Sequence, residues 1–314
     1  MTETVAILGP TAVGKSDFGL KIAERFDGEI VSADALQIYR GFDIGTAKPT
    51  EEERHRVPHH LVDILDPQEP FSAGEFARLA TGLIQGIEAR GRVALVLGGS
   101  GLYLRALLDG ISPIPAVQPE VREELQYRLD REGLEPIRRE LETLDPITAA
   151  RLGRGDTQRT TRALEVVLST GRPLSAWLAD DPSGSGPIEA LRIGLTLPRA
   201  VLYDRISVRV RRMIRAGWVD EVEGLLRRGL SPELPAFQAI GYRQLAAHVR
   251  GDISLEEALA STVRATCRYA KRQLTWFRRE EGVTWFSVED PDAGFRGVCD
   301  YLEQQGLGGD NAED

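Results

Sequence analysis

The feature that most constrains this sequence is a phosphate-binding loop near its start, the segment GPTAVGKS at residues 9–16. An apolar run at residues 5–8 precedes the loop and predicts a buried parallel strand. Apolar residues at helical spacing follow it, which predicts a helix that ends near residues 27–28. Strand, glycine-rich turn and helix form the context in which backbone N–H groups hold a phosphate. The loop therefore predicts a phosphate site without naming a reaction.

Each part of the loop has a separate role in binding an anion. Its glycines allow backbone N–H groups to turn inward, Lys15 supplies a mobile cation, and the hydroxyl of Ser16 can hold Mg²⁺. The candidates for phosphate contact are Gly9, Pro10, Thr11, Ala12, Val13, Gly14, Lys15 and Ser16.

The rest of the chain alternates between strand and helix patterns. Further strands are predicted at 29–33, 60–64, 93–97, 191–198 and 282–288, and helices at 72–88, 199–228 and 255–279. Such alternation is typical of an α/β protein with a parallel sheet. The sequence therefore predicts an α/β fold with a P-loop NTPase-like parallel sheet core and a mostly helical insertion domain.

Two loop segments mark the limits of that insertion. The stretch ISPIPAVQPE holds three prolines, and DDPSGSGP has the composition of a flexible hinge. Between them the pattern is charged, helical and poor in strands. We therefore expect a core formed by residues 1–112 and 188–314, with the helical insertion at 113–187 and a disordered acidic tail at 306–314.

Composition narrows the cellular context. The two cysteines, Cys267 and Cys299, form neither a disulfide framework nor a metal-binding spacing. We find no apolar run of membrane length and no signal-peptide pattern. We therefore expect a cytoplasmic protein without membrane contact, acting as a monomer.

The net charge of −9 is unevenly distributed along the chain. Residues 200–279 hold 15 basic and 8 acidic residues, a net charge of +7, whereas residues 280–314 hold 1 basic and 10 acidic residues. Local basic surface decides whether a polyanion binds. An acidic total therefore does not exclude nucleic acid as a partner.

Two polar residues follow predicted strands and are candidates for chemistry. Asp34 follows the second strand, at the sheet edge where α/β proteins place their sites, and its carboxylate can accept a proton or hold Mg²⁺. Ser100 offers a hydroxyl in the glycine turn GGSGLYL. A turn or N-cap role for Asp34 and a helix-cap role for Ser100 remain alternatives.

The end of the strand at 93–97 argues against nucleotide hydrolysis. P-loop NTPases commonly end such a strand in an aspartate that orders Mg²⁺, but here Gly98 follows. This weakens the ATPase and GTPase interpretations.

Three basic segments are candidates for contact with phosphates or RNA. DTQRTTRALEVV brings Gln158 and Arg162 onto one helix face, with Arg159 adjacent. The stripe of Arg205, Arg209 and Arg212 is suited either to clamp an anion or to pair with acidic neighbours. CRYAKRQLTWFRR interleaves basic and aromatic side chains, which suits phosphate contact and base stacking. An ordinary solvated or amphipathic helix remains the alternative for the first and last patterns.

Together these segments resemble the tRNA dimethylallyltransferases, also called tRNA isopentenyl-pyrophosphate transferases. The matching segments occur in family order over most of residues 5–280: GPTAVGKS, SADALQIYRGFDIGTAKP, PHHLVDILDPQEPFSAGEF, GGSGLYLRALLDG, QRTTRALEV, AIGYRQL and KRQLTWFRR. Each one except the P-loop is weak alone, but their joint occurrence is specific.

The resemblance implies transfer of a dimethylallyl group from dimethylallyl diphosphate to N6 of the adenosine just 3′ of the tRNA anticodon. The P-loop and Arg209 would then bind diphosphate, Asp34 and Ser100 would be catalytic, and Ser16 would hold Mg²⁺. The implied contacts with the tRNA anticodon stem-loop are Asp34, Ala35, Leu36, Gln37, Ser100, Arg122, Gln158, Arg159, Thr160, Thr161, Arg162, Gln238, Ala239, Ile240, Gly241, Tyr242, Arg243, Lys271, Arg272, Gln273, Leu274, Thr275, Trp276, Phe277 and Arg278.

The sequence departs from the family pattern at two positions. Ala35 stands where the family has serine, and Ser100 stands where it has threonine, which keeps the hydroxyl. Three other functions remain open: a P-loop small-molecule kinase, an adenylate isopentenyltransferase acting on free nucleotide, and a nucleotide-gated RNA-binding protein without catalysis. The length and the basic C-terminal helices disfavour the kinase, and the arginines of the insertion favour tRNA over free nucleotide.

Overall fold

The structure is a computed structural model that describes residues 4–112, 114–180 and 188–307. The chain forms two compact units, one of residues 1–108 and 188–314 and the other of residues 109–187. Most of the predicted hinge, residues 181–187, lies outside the described residues, as does position 113.

The first unit is built on one six-stranded sheet whose paired strands are all parallel. The strands are β1 (Thr4–Leu8), β2 (Gly28–Ala33), β3 (His59–His60), β4 (Val93–Gly98), β5 (Leu191–Thr196) and β6 (Val283–Ser287). They lie in the order β3-β2-β4-β1-β5-β6, which places β1 between β4 and β5. The predicted α/β class is confirmed.

Helices connect the strands and form the second unit. In chain order they are α1 (Lys15–Arg25), α2 (Glu51–Arg56), α3 (Ala73–Glu88), α4 (Gly101–Leu108), α5 (Pro119–Glu132), α6 (Leu134–Leu144), α7 (Pro146–Arg151), α8 (Thr157–Thr170), α9 (Leu174–Ala179), α10 (Arg199–Arg215), α11 (Trp218–Arg227), α12 (Tyr242–Val249), α13 (Leu255–Phe277) and α14 (Pro291–Gln304). Three of them, α2, α3 and α13, begin with a capping box, in which a Ser or Thr and a Glu satisfy each other's backbone N–H groups.

Both faces of the sheet are buried, and β1 shows how the sequence achieves this. Val5 and Ile7 face a core that includes side chains of α1, α10, α11, α12 and α14, whereas Ala6 and Leu8 face a second core with α3 and α4. Successive side chains of a strand point to opposite faces, so a strand covered on both sides is apolar throughout. The continuous apolar runs in the sequence have this cause.

The second unit has its own small core. Leu125, Ile137, Leu141, Ala163 and Leu164 pack together from α5, α6 and α8. Within residues 114–180 the structure contains only helices and the loops that join them.

Two predicted elements differ from the structure. The strand expected at 60–64 is limited to β3, because Leu61 and Asp63 both have φ of 58°, in the left-handed region that ends strand pairing. The carboxylate of Asp63 turns instead toward Lys48 and Arg54. The helix expected at 199–228 is divided by Gly217, whose φ of 97° separates α10 from α11.

The structure also describes the first two residues of the predicted acidic tail, residues 306 and 307. Leu307 is only 5% exposed and packs in the core, and its N–H donates to the carbonyl of Leu302 at 3.0 Å. The expectation of disorder from residue 306 is therefore wrong for residues 306–307. Residues 308–314 lie outside the described residues.

Candidate functional site

Three functional segments begin at one edge of the sheet. Gly98 ends β4 and is the register partner both of Leu8, which ends β1, and of Ala33, which ends β2. The P-loop, the glycine turn and Asp34 each start at the next residue. Parallel strands present their carboxyl ends together, so these segments converge at one site.

The backbone of the P-loop depends on its glycines. Gly9 has φ of 154°, and a Cβ there would lie 2.8 Å from the carbonyl oxygen of Leu195. Gly14 has φ of 109° and forms the N-cap of α1. A left-handed residue before a helix N-terminus allows backbone N–H groups to line one concave surface, as an anion requires.

Lys15 lies among the loop's own carbonyl groups and other charges. Its Nζ donates to the carbonyl oxygens of Gly9 at 2.8 Å and Pro10 at 2.9 Å. Burial, together with the charge of Arg209, lowers the pKa of Lys15 to about 7, while the Asp34 carboxylate opposes the shift. A bound anion would supply the charge partner that this ammonium group lacks.

Two arginines of α10 lie beside the loop. Burial lowers the pKa of Arg209, while the charge of Asp34 raises it, as does that of Asp17. Arg205, one helical turn earlier, donates from Nη1 to the carbonyl oxygen of Val13 at 3.3 Å. Arg209 is the arginine that the family resemblance implied at the phosphate, and Arg205 belongs to the same stripe, which the sequence offered as a possible anion clamp.

Asp34 and Ser100 meet at the start of the loop that follows β2. Asp34 is half-buried, and its Oδ1 accepts hydrogen bonds from the N–H groups of Leu36 at 2.9 Å and Gln37 at 3.4 Å. The Ser100 hydroxyl accepts from the N–H of Ala35 at 3.3 Å. The carboxylate therefore forms an Asx turn and also contributes its charge to the phosphate site.

The side-chain amide of Gln37 forms hydrogen bonds that hold the same loop. Its Nε2 donates to the carbonyl oxygens of Thr46 and Ala47, each at 3.2 Å, and its Oε1 accepts from the Ser32 hydroxyl at 2.9 Å. The Gln37 amide thus holds the loop that carries Asp34. Ala35 and Leu36 are half-buried beside it.

Gln273 of α13 joins two of the converging segments. Its Oε1 accepts from the N–H of Thr11 in the P-loop at 2.8 Å, and its Nε2 donates to the carbonyl oxygen of Gly99 at 2.9 Å. The residue is 6% exposed. It was expected at the tRNA surface, and the structure places it inside the site.

Tyr269, one turn before Gln273, also faces the site, although the sequence suggested it only as one of the aromatic side chains of CRYAKRQLTWFRR suited to base stacking. Its hydroxyl lies 3.5 Å from the carbonyl oxygen of Gly99. Burial raises the pKa of Tyr269 to about 12, and the charge of Asp34 adds to the shift. Residues four apart lie on the same helix face, so the spacing between Tyr269 and Gln273 is the sequence feature that indicates this position.

The remaining candidates on α13 divide between solvent and core. Lys271, Arg272, Thr275 and Arg278 are exposed, and Leu274 and Trp276 are half-buried. The guanidinium of Arg105 lies 4.6 Å from the Trp276 ring centroid. The basic side chains are thus free to meet a polyanion.

Two candidates of the second unit, Arg122 and Arg162, pair with Glu165. Arg162 pairs with its carboxylate at 3.2 Å and Arg122 at 3.4 Å, so each arginine already has a partner. Gln158 and Arg159 are exposed, and the buried Thr161 hydroxyl has no hydrogen-bond partner among the residues that the structure describes.

Around the start of α12, at residues 238–243, some residues are exposed and others are buried. Gln238 and Arg243 are exposed, whereas Ala239 and Ile240 are half-buried. Gly241 is buried with φ of 93°, and a Cβ there would lie 2.0 Å from the Trp218 ring. Only glycine fits against that ring.

Three residues expected at the tRNA surface lie in the core instead. Thr160 and Tyr242 are 0% exposed and Phe277 is 1% exposed. Direct contact between these side chains and RNA is incompatible with the structure. Each lies on a helix that also carries an exposed face, and the sequence does not show which face packs inward.

Ser16 is the residue that fits a Mg²⁺ ion. It is exposed on the first turn of α1, beside Lys15. Mg²⁺ is usually held by one or two protein oxygens together with phosphate oxygens and water, and a single hydroxyl next to a phosphate site meets that need. Within the described part of the chain, no group of three or more His, Cys, Asp or Glu side chains could hold a metal ion.

The fold and the site define a P-loop α/β protein that presents a carboxylate and a hydroxyl next to its phosphate-binding loop. A family model described as IPP transferase matches residues 37–280, and a model described as isopentenyl transferase matches residues 2–63. A tRNA dimethylallyltransferase of Geobacter metallireducens is 48% identical over 290 residues, which cover 92% of this chain and 93% of that protein. The chain belongs to the tRNA dimethylallyltransferase family.

Solved structures agree with this membership. The full-length tRNA isopentenylpyrophosphate transferase of Bacillus halodurans is 40% identical with a TM-score of 0.70, over 97% of this chain and 96% of that one. A eukaryotic dimethylallyltransferase acting on tRNA has a TM-score of 0.78 over 96% of this chain and 80% of that one. At 24% identity it supports the fold alone. In the described residues we find no helix with the length and apolarity to cross a membrane.

Proposed function

We propose that this protein transfers the dimethylallyl group of dimethylallyl diphosphate to N6 of the adenosine just 3′ of the tRNA anticodon, releasing diphosphate. The observation that carries the proposal is the register of β1, β4 and β2, which starts the P-loop, the Ser100 turn and Asp34 at one edge. Relatives named tRNA dimethylallyltransferase support it.

The P-loop suits a leaving group better than a nucleotide substrate. Cleavage of the allylic C–O bond places negative charge on diphosphate, and Lys15, Arg209 and the loop N–H groups can stabilise that charge. Phosphorus is not attacked, so no aspartate is needed at the end of β4, where Gly98 stands. Mg²⁺ bound through the Ser16 hydroxyl would neutralise further charge on the leaving group.

Asp34 suits the acceptor half of the reaction. The N6 amine of adenine is a poor nucleophile because its lone pair is delocalised into the ring. As the N6–C bond forms and the C–O bond breaks, Asp34 can take the proton that N6 loses. The adenine must leave its stack to reach the site, and the Ser100–Ala35 hydrogen bond holds the start of the Asp34 loop in place.

The tRNA contacts are proposed on local charge. Exposed Lys271, Arg272 and Arg278 offer cations along α13, and Arg159 and Gln158 offer polar contacts in the second unit. Such side chains bind phosphates without requiring a basic protein overall. The monomeric state and the cytoplasmic location that the sequence predicts belong to the same proposal.

A transfer assay with radiolabelled dimethylallyl diphosphate tests the function. Purified protein is incubated with unmodified tRNA, with free AMP or without an acceptor, alongside an ATP hydrolysis control. Label entering tRNA alone is the expected result. Label entering AMP would indicate an adenylate isopentenyltransferase, and ATP consumption without label transfer would indicate a kinase.

A further inference from the structure

The Gln273 side chain is the link between the phosphate site and the glycine turn. It comes from α13, far along the chain, and bonds to Thr11 at 2.8 Å and to Gly99 at 2.9 Å. Both ends of its amide are used, and its exposure is only 6%. A primary amide is suited to this position, because one end accepts from an N–H while the other donates to a carbonyl.

Gly99, the second partner of Gln273, leaves space for this contact because it has no side chain. A Cβ added at Gly99 would lie 2.4 Å from the Gln273 Nε2, so any larger residue there displaces the amide. The next residue is Ser100, whose hydroxyl accepts from the N–H of Ala35 beside Asp34. The hydrogen bonds therefore run from the P-loop through Gln273 and the glycine turn to the loop of Asp34.

We propose that Gln273 is a positioning residue that sets the distance between the diphosphate loop and the Asp34 loop. The inference rests on the proposed function, since it concerns the alignment of donor and acceptor. Without the amide, the Thr11 N–H loses this acceptor and the Gly99 carbonyl is left with the more distant Tyr269 hydroxyl at 3.5 Å, so the direct link between the two segments is lost. Transfer reactions are sensitive to such displacements, because the reacting atoms must be held close and aligned.

The same contacts argue against a direct role in RNA binding. The flanking residues Lys271 and Arg272 are exposed, but Gln273 faces inward, and its Oε1 and Nε2 each bond to a backbone group of the site. Its loss should therefore alter donor binding and transfer while leaving tRNA affinity unchanged.

The first test replaces Gln273 with an apolar side chain of similar size. We expect Gln273→Leu to weaken inorganic pyrophosphate binding and lower kcat/KM for the donor by about 10- to 100-fold, the range for losing partners of buried polar groups. The KM for tRNA should not change. Thr266→Val is the matched control, because the Thr266 hydroxyl donates only to the carbonyl of Thr262 in the same helix, at 2.8 Å.

A second variant, Gln273→Glu, should give a pH-dependent defect that a misfolded protein would not show. In Gln273→Glu, the protonated carboxyl group can accept from Thr11 and donate to Gly99, whereas the ionised group cannot donate and repels diphosphate. We expect transfer relative to wild type to fall as pH rises through the pKa of the introduced carboxyl group. Dividing by the wild-type rate at each pH removes the titration of other groups.

If Gln273→Leu does not fold, Gly99→Ala tests the same contact from the other side. We expect it to reproduce the donor defect with a circular dichroism spectrum like that of wild type. The inference is overturned by unchanged pyrophosphate affinity in folded variants, by a change confined to the KM for tRNA, or by a Gln273→Glu ratio that does not depend on pH. If wild type itself transfers no label to tRNA, the proposed function fails instead, and pyrophosphate binding still tests the link.

Discussion

The hydroxyl of Tyr242 donates a 2.6 Å hydrogen bond to the carboxylate of Glu221, joining the start of α12 to α11. The same carboxylate accepts from the N–H groups of Ile44 at 2.7 Å and Asp43 at 3.1 Å, in the loop that follows β2. Burial raises the pKa of Tyr242 above its usual range, and the charge of Glu221 adds to the shift. Tyr242 therefore stabilises the fold near the site without reaching solvent.

This arrangement predicts a stability defect without an RNA defect. Tyr242→Phe removes one donor from a carboxylate that keeps its backbone partners, so we expect a loss of about 1–3 kcal/mol in the free energy of unfolding. Urea denaturation measures it. The salt dependence of tRNA binding should match wild type, whereas Arg243→Ala, which removes an exposed neighbouring charge, should weaken binding. A flatter salt dependence in Tyr242→Phe would return the residue to the RNA surface.

The role of Asp34 as a base is tested by Asp34→Asn. Asparagine keeps an oxygen for the N–H of Leu36 but cannot take a proton, so the turn survives while the chemistry is lost. We expect the single-turnover transfer rate to fall about 10²- to 10⁴-fold. Pyrophosphate affinity, measured by calorimetry, should be nearly unchanged, because the anion contacts the P-loop. Transfer within tenfold of wild type would contradict the assignment.

Burial of the Lys15 ammonium group lowers the free energy of unfolding by an amount that depends on pH. Its pKa is 10.5 in a model peptide and about 7 in the folded protein, so between these values the unfolded chain binds more protons and stability rises with pH. Lys15→Met removes this group. We expect the variant to have a higher Tm than wild type at pH 7, with the difference shrinking toward pH 10.5, and to lose pyrophosphate binding.

Lys21→Met provides the control, because Lys21 is an exposed lysine on the same helix. It should leave pyrophosphate affinity unchanged. If Lys15→Met is less stable than wild type at pH 7, the ammonium group is stabilised by its carbonyl partners more than burial destabilises it.

The sequence was most informative where a single local pattern determines the structure. The P-loop, its flanking strand and helix, and the helix expected at 72–88 all depend on neighbouring residues. The register that places Asp34 and Ser100 at one edge follows from the parallel sheet. These features could therefore be predicted without coordinates.

Contacts between distant segments could not be predicted in this way. In α13 the pattern KRQLTWFRR mixes residues for solvent and core, and only tertiary packing shows that Gln273 and Phe277 point inward while Lys271 points out. Likewise, the apolar run at 60–64 suggests a strand, but Asp63 is drawn to Lys48 and the backbone turns. In each case, contacts with residues elsewhere in the chain determine the local structure.

The buried Leu307 predicts a sharp limit for truncation at the C-terminus. Removing residues 308–314 should leave Tm and transfer unchanged, because their acidic charge has the wrong sign for RNA. Removing Leu307 as well should lower stability by about 1.5–3 kcal/mol, the value of burying a leucine side chain. Thermal unfolding of the two truncations provides the comparison. Equal Tm values would show that Leu307 adds nothing to the core.

Salt dependence tests the proposed RNA surface most directly. Each phosphate contact releases counterions, so log affinity should fall by about 0.7–0.9 per contact for each tenfold increase in salt. Lys271→Ala and Arg162→Ala should each flatten that slope by about one contact. Because Arg162 is paired with Glu165 at 3.2 Å, its loss should also leave that carboxylate less neutralised, with the Arg122 pair at 3.4 Å still in place, making the total affinity loss larger than for Lys271.

Filter binding of tRNA across a salt series measures both effects, with Arg250→Ala as the control. Arg250 is exposed and pairs with Asp252 at 2.9 Å, outside the proposed surface, so its slope should equal that of wild type. Pyrophosphate affinity should be unchanged in all three variants, since none belongs to the P-loop site. Slopes unchanged for both Lys271→Ala and Arg162→Ala would place the RNA surface on other residues, whereas a slope flattened equally by Arg250→Ala would show that the method reports overall charge.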